Sequence, residues 1–253
     1  MNRAKVILSG IVGSRAYGTA TEDSDTDLMS VVIPPIETYL GIDYWGNQGT
    51  AEQRTEDGGE HTFYELRKFV KLCINFNPNV IPLLWLPEHC YRDITPAGQK
   101  LIDNRNLFNS KQAYYSLTGY AQNQCKKMVA RGSETTGKMG ARRKDLVKKY
   151  GYDTKFAMHT IRLLRMCAEF LTRPEEGLRV HRNDYEELLR IRAGAVSMEA
   201  VLDRAQSLLD FSKFRLNGSE LPEKPDNQKI NELLLEIFEQ DFGIRTKHPA
   251  PAP

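Results

Sequence analysis

Two short apolar runs lie near the start of the chain, at residues 6–12 and 28–33. Both are rich in valine, isoleucine and leucine, and this length and composition predict buried β-strands. Pro34 ends the second strand, because proline cannot donate a hydrogen bond to the neighbouring strand. Residues 60–64 include a threonine and two aromatic side chains next to each other, and they predict a third strand.

Helical periodicity follows the third strand. Apolar residues at 66, 69, 70, 73 and 74 recur every three or four positions and predict a helix. Beyond Pro96 the pattern predicts only helices, with Thr95, Ser110 and Asp153 where N-caps belong. The predicted helices span 97–108, 111–130, 155–171, 183–192, 197–213 and 226–240.

These elements predict an α+β protein. A small mixed β-sheet with flanking helices is expected at residues 1–109, an all-helical domain at 110–245 and a disordered tail at 246–253. The polar stretch at 36–59 contains several glycines and is expected to form a long mobile loop or insertion, of a length that is usually functional or disordered. The apolar run at 80–86 is expected to be buried, with no helix or strand type assigned.

Composition narrows the class of protein. With 40% hydrophobic residues among 253, the chain is an ordinary globular protein. It has no apolar run of about 18 residues and no charged-then-apolar leader, so we expect neither a membrane span nor a signal peptide, and a cytoplasmic location. The four cysteines are widely scattered, so we expect reduced thiols. A net charge of +2 gives no overall attraction to nucleic acid.

The first candidate chemistry lies between the two apolar runs. Gly13 lets a phosphate approach the backbone, Ser14 offers an N–H and a hydroxyl, and a helix starting near Arg15 would direct N-terminal amides at the anion. Asp25 and Asp27 follow at i, i+2. If the strand begins at Asp25, alternation places both carboxylates on one face, roughly 6–7 Å apart. Two carboxylates and a triphosphate are suitable ligands for Mg²⁺ or Mn²⁺.

These residues resemble a known signature. Gly13-Ser14 followed by Ser24-Asp25-Thr26-Asp27-Leu28 is similar to the signature of the DNA polymerase β-type nucleotidyltransferase superfamily. Segments 64–69, 77–79 and 151–159 resemble a branch of predicted nucleotidyltransferases from bacteria and their phages. The resemblance touches residues from about 10 to 165 and implies transfer of NMP from an NTP. One departure is Pro82, where members of this branch carry an acid.

Chemistry at two aspartates is usually completed by a third acid from an adjacent strand. Glu60 is the candidate, because it begins the predicted third strand at the place where the resemblance assigns an acid. A register error of a few residues would exchange it for Asp57 or Glu65, which remain alternatives.

Basic residues provide the second candidate feature. Lys155, His159 and Arg162 are spaced i, i+4, i+7 and share one helix face, which would bind the triphosphate and the leaving pyrophosphate. The segment 126–155 carries ten lysines and arginines against three acids, and it is either a nucleotide or nucleic-acid contact or a solvated surface.

The leading hypothesis is a template-independent nucleotidyltransferase. It would use Asp25, Asp27 and Glu60 for the metal and Gly13, Ser14, Arg15, Lys155, His159 and Arg162 for the nucleotide. The acceptor is left open among an RNA or tRNA end, a protein and a small molecule. Alternatives are a synthase of second-messenger oligonucleotides, a nucleotide- or RNA-binding module with a decayed site, and a partner that acts by protein contact.

Overall fold

The computed structural model describes residues 4–42, 44–129, 147–180 and 185–245. These residues divide into two compact units. The first unit contains residues up to 110 together with those from 222 onward, and the second contains 111–221. The sequence predicts a single helical domain from 110 to 245, whereas the structure groups the last described helix with the sheet.

A five-stranded mixed sheet forms the centre of the first unit. Its order is β3-β4-β2-β1-β5, in which β2 and β4 run parallel and the other neighbours run antiparallel. The strands are β1 (Lys5–Val12), β2 (Asp27–Ile33), β3 (Thr50–Arg54), β4 (Glu60–Glu65) and β5 (Tyr91–Ile94). The three predicted strands are therefore confirmed as β1, β2 and β4, and the α+β class is confirmed.

The stretch 36–59 differs from the expected loop. It contains a short helix, α2 (Ile36–Leu40), and the edge strand β3. β3 pairs in register with β4, from Thr50 opposite Tyr64 to Arg54 opposite Glu60. Its polar sequence does not predict a strand. An edge strand has only one hydrogen-bonded neighbour and exposes most of its side chains, so it does not need an apolar sequence.

Three longer helices pack in the first unit. They are α3 (Leu66–Ile74), α4 (Pro96–Asp103) and the last described helix, α9 (Asn227–Phe242). The predicted helix over 97–108 ends at Asp103, and a 3₁₀ turn follows it. α9 is tied to the unit by ion pairs, Lys5 to Asp241 at 2.5 Å and Lys100 to Glu236 at 3.2 Å. The apolar run at 80–86 is buried, as predicted, and contains a 3₁₀ helix.

The second unit is helical, as predicted. It contains α5 (Gln112–Val129), α6 (Thr154–Thr172), α7 (Glu186–Arg192) and α8 (Met198–Asn217), and α6 packs against the other three. The carboxylate of Asp153 caps α6 by accepting from the Lys155 and Phe156 amides at 3.0 and 3.1 Å. Burial of most of α6 makes it the centre of this unit.

Some predictions fall outside the described residues. These are most of the basic segment, at 130–146, and the tail at 246–253. All four cysteines are free thiols, as predicted. Within the described ranges, no helix combines the length and hydrophobicity that crossing a bilayer requires.

Candidate active site

Gly13 and Ser14 form a tight turn at the end of β1. They begin a single helical turn, α1 (Gly13–Ala16), and Gly13 adopts a positive φ of 66°. A Cβ on Gly13 would lie 2.7 Å from Oδ2 of Asp27, which is closer than side chains tolerate. The amide of Thr19 donates to the Ser14 carbonyl at 2.9 Å and closes the loop. The backbone conformation therefore favours glycine, and a Cβ at this position would displace the Asp27 carboxylate.

Asp27 is held at the start of β2. It pairs with Val12 across the β1–β2 ladder and is half-buried. Its Oδ1 accepts a hydrogen bond from the backbone amide of Glu60 at 3.1 Å, while Oδ2 faces Gly13. Two strands and the turn thus orient one carboxylate. Each carboxylate oxygen has more than one lone pair, so Asp27 keeps acceptor capacity for a cation.

Asp25 lies outside the strand. β2 begins at Asp27 rather than Asp25, so the condition under which strand alternation would place the two aspartates on one face is not met. Asp25 is exposed. The segment before it is fixed by the Arg15 guanidinium, which donates to the Ser24 carbonyl at 2.6 Å. Arg15 therefore connects the glycine turn to the segment that leads into Asp25.

Glu60 lies beside Asp27 at the start of β4. The parallel register pairs Leu28 with His61, so the residues before them, Asp27 and Glu60, are neighbours across the two strands. The Glu60 backbone orients Asp27, and its side chain is exposed. No group of three or more His, Cys, Asp and Glu side chains within the described part of the chain is close enough to hold a metal ion. The assignment of Glu60 as third carboxylate stays a prediction.

The two alternative acids have structural partners. Asp57 accepts from the Thr26 amide at 2.9 Å and the Thr55 hydroxyl at 2.7 Å, and hydrogen bonds from these two residues lower its pKa to about 2. Glu65 is buried, caps α3 through the amides of the next helical turn, and accepts from the Tyr39 hydroxyl at 2.8 Å. Asp57 and Glu60 are both exposed, whereas Glu65 is buried, so the structure separates Glu65 from the other two candidates by burial and shows Asp57 engaged by Thr26 and Thr55.

A polar network inside the sheet escaped the sequence reasoning. The Ser30 hydroxyl donates to Ser9 Oγ at 3.0 Å and lies 2.8 Å from His61 Nε2. Because a hydroxyl has one proton, His61 is the donor to Ser30. Burial lowers the pKa of His61, whose ring stacks on Phe63 at 3.9 Å. Single serines inside two apolar strands are the signal that would have revealed this network.

The predicted basic face lies on α6, in the second unit. Its three members differ in exposure: Lys155 is exposed, His159 is half-buried and Arg162 is buried. The burial of Arg162 follows from the central position of α6, and its Nη1 lies 3.5 Å from the sulfur of Met166. Binding of the triphosphate by these residues stays a prediction.

Two curated proteins are similar to part of the chain. One is the uncharacterized 38.9 kDa protein of the nrdC-mobD intergenic region of Enterobacteria phage T4, with 28% identity over 140 residues, 51% of this chain and 40% of that protein. The other is the uncharacterized protein YcgL of Bacillus subtilis strain 168, with 29% identity over 125 residues, 48% of this chain and 46% of that protein. The matches thus span less than half of each relative.

Comparison of structures finds a nucleotidyltransferase-like protein from Exiguobacterium sibiricum 255-15, with 10% identity and a TM-score of 0.29 over 94% of this chain and 75% of that one. Comparison with protein families gives a match over most of the chain. The sequence model of one family, described as the RNA repair pathway DNA polymerase beta family, matches residues 1–240. That match confirms the resemblance drawn from the glycine turn and the paired aspartates.

Proposed function

Because the chain belongs to the RNA repair pathway DNA polymerase beta family, we propose that it transfers NMP from an NTP to an acceptor hydroxyl and releases pyrophosphate. The acceptor oxygen forms a bond to the α-phosphorus as the bond between that phosphorus and the pyrophosphate oxygen breaks. The acceptor proton passes to a carboxylate or to water. No template is needed, because the nucleotide is selected by the site and not by base pairing.

One observation carries this proposal: the close approach of Gly13 to Asp27. A phosphate-sized turn and a strand-held carboxylate lie so close together that a Cβ on Gly13 would displace the carboxylate. This arrangement places backbone amides and a cation ligand next to each other, as binding of a metal–triphosphate complex requires. A structural turn alone needs no carboxylate at this place.

The residues present fit a divalent cation. Mg²⁺ usually binds through one or two carboxylates and completes its coordination with water and substrate phosphates, so it does not need three protein ligands held together beforehand. Asp25 and Asp27 would hold it, with Glu60 as the proposed third acid. When bound, the cation supplies positive charge that stabilises the departing pyrophosphate and activates the attacking hydroxyl.

The protein groups have separate tasks in this proposal. The turn at Gly13 and Ser14 binds a phosphate. The hydrogen bond from Arg15 to the Ser24 carbonyl holds the segment just before Asp25 in place. The Glu60 amide orients Asp27 through its Oδ1. Because this orienting group belongs to the backbone, the Glu60 side chain is left to accept the attacking proton or to bind metal.

An RNA end is the acceptor we favour. The description of the family names an RNA repair pathway, and a terminal ribose offers the hydroxyl that the chemistry requires. A protein side chain and a small molecule remain outcomes of the test.

The test is transfer of label from each of the four [α-³²P]NTPs, with Mg²⁺ or Mn²⁺, to purified cellular RNA, protein and small-molecule fractions. The variant is Asp25→Asn/Asp27→Asn, in which the side-chain amide oxygen introduced at position 27 can still accept from the Glu60 amide. The matched control is Glu22→Gln/Glu52→Gln, which removes two exposed charges from the same unit. We expect transfer to fall about 100-fold or more in the first variant and to persist in the control.

Several results would change the assignment. Transfer that survives Asp25→Asn/Asp27→Asn would refute the mechanism. Binding of NTP without transfer to any fraction would favour a binding module, and oligonucleotide products formed without added RNA would favour a second-messenger synthase. Glu60→Gln tests the Glu60 side chain separately from Asp27, since the Glu60 backbone amide that holds Asp27 is unchanged. Loss of transfer would assign the Glu60 side chain a role, and normal transfer would exclude one.

A further inference from the structure

A cavity of about 450 Å³ opens within the second unit. It lies between the C-terminal half of α6, residues 173–179 and the middle of α8. Four arginines and two glutamates line it: Arg165, Arg173, Arg179, Arg204, Glu169 and Glu176. Its volume is within the range of small-molecule sites, about 300–1,000 Å³.

The arginines are arranged in pairs around shared carboxylates. Arg173 and Arg179 both contact Glu176, the former at 3.1 Å. Arg165 and Arg204 both contact Glu187, the latter at 3.4 Å. A guanidinium has about five N–H donors, whereas a carboxylate accepts about four hydrogen bonds. Glu176 therefore holds two guanidinium groups in place without using all the N–H donors of Arg173 and Arg179, and Glu187 holds those of Arg165 and Arg204.

A glycine lies between the members of one of these pairs. Arg173 precedes a 3₁₀ turn at Pro174–Glu176, and Gly177 follows it with φ 69° and ψ −158°, a conformation that is essentially restricted to glycine. Gly177 lies between Arg173 and Arg179, which both contact the Glu176 carboxylate. Their side chains are 60% and 43% exposed, so their remaining donors are accessible.

Apolar residues also line the cavity. Ala168, Leu208 and Phe211 are among them, and Phe211 is 46% exposed. An exposed aromatic ring in the same cavity as guanidinium groups suits a ligand with a flat ring at one end and an anion at the other. Guanidinium forks match phosphate geometry, and nucleobases stack on aromatic rings.

We propose that this cavity binds a nucleoside monophosphate group, either as a free nucleotide or as the phosphorylated end of an RNA chain. The phosphate contacts Arg173 and Arg179, and the base lies against Phe211. All the lining residues belong to the second unit, whereas Asp25 and Asp27 belong to the first. The inference therefore does not depend on transfer at the two aspartates.

The test is equilibrium dialysis of the full chain with [³²P]AMP and with a 5′-³²P-labelled RNA oligonucleotide. The Asp25→Asn/Asp27→Asn background and EDTA exclude turnover, so a failed transfer reaction does not affect the result. The variant is Arg173→Ala/Arg179→Ala. The matched control is Arg190→Ala/Lys213→Ala, which removes the same charge from exposed positions of the same unit.

We expect binding of at least one probe to weaken about tenfold or more in Arg173→Ala/Arg179→Ala and to be nearly unchanged in the control. Arg173→Lys/Arg179→Lys keeps the charge but loses the planar fork, so it should bind at an intermediate level. Binding of AMP alone identifies a free nucleotide, and competition by 5′-phosphorylated but not 5′-hydroxyl RNA identifies an RNA end. No binding of either probe, or equal weakening in variant and control, would overturn the proposal.

Discussion

Gly13→Ala tests the contact on which the active-site proposal depends. Gly13 has a φ of 66°, and its added Cβ would lie 2.7 Å from Asp27 Oδ2. The left-handed conformation costs an alanine about 1–2 kcal/mol. The carboxylate must also retreat about 0.7 Å to reach 3.4 Å, where ordinary contact begins. This movement strains the hydrogen bond from the Glu60 amide, since that bond holds the other oxygen of the same carboxylate.

Gly243→Ala is the matched control. Gly243 has nearly the same φ, 65°, but no atom lies within 4 Å of its added Cβ among the described residues. Urea denaturation should show a loss of unfolding free energy of about 1–2 kcal/mol for Gly243→Ala and at least as large a loss for Gly13→Ala, whose Cβ also displaces the carboxylate. Transfer of labelled NMP should fall about 10- to 100-fold in Gly13→Ala only, because an ångström-scale displacement of a catalytic group has effects of this size. A Gly13→Ala protein with the transfer rate of Gly243→Ala would refute the reasoning.

Three further predictions concern stability. Tyr39→Phe removes the hydroxyl that donates to Glu65, and urea denaturation should show a loss of about 0.5–1.5 kcal/mol; an unchanged midpoint would mean that the bond adds nothing. Asp57 has its pKa lowered from 3.8 to about 2, so the stability that it contributes is present above the higher value and is lost as the pH falls through the lower one. Melting temperatures measured from about pH 5 to pH 2 should therefore fall less steeply in Asp57→Asn than in the parent, and parallel curves would contradict this. Asp153→Ala removes the buried cap of α6 and should cost about 1–2 kcal/mol in urea denaturation. The exposed cap of α9, Asp226, should cost less when replaced by alanine, and the reverse order would be inconsistent with burial as the cause.

The sequence predicts local elements well where a few adjacent residues decide them. The apolar runs around Ser9 and Ser30 predict their strands, and Asp153 predicts the start of α6 within one residue. Family membership follows from the glycine turn and the two aspartates, because these residues are close together in the chain. The sequence predictions fail where an element depends on a partner that is distant in the chain. β3 is a strand because β4 lies beside it, although its own sequence is polar.

The candidate site shows the same division. The sequence by itself determined which groups are available for chemistry: a glycine turn, two aspartates and a short set of third acids. Only the tertiary structure decided that Gly13 touches Asp27, that Asp57 and Glu65 are engaged by other residues, and that four arginines surround one cavity. The physical reason is the distance along the chain between the residues that interact. Strand and cap preferences depend on neighbours within a few residues, whereas burial, pKa and approach depend on side chains that folding brings together from distant positions.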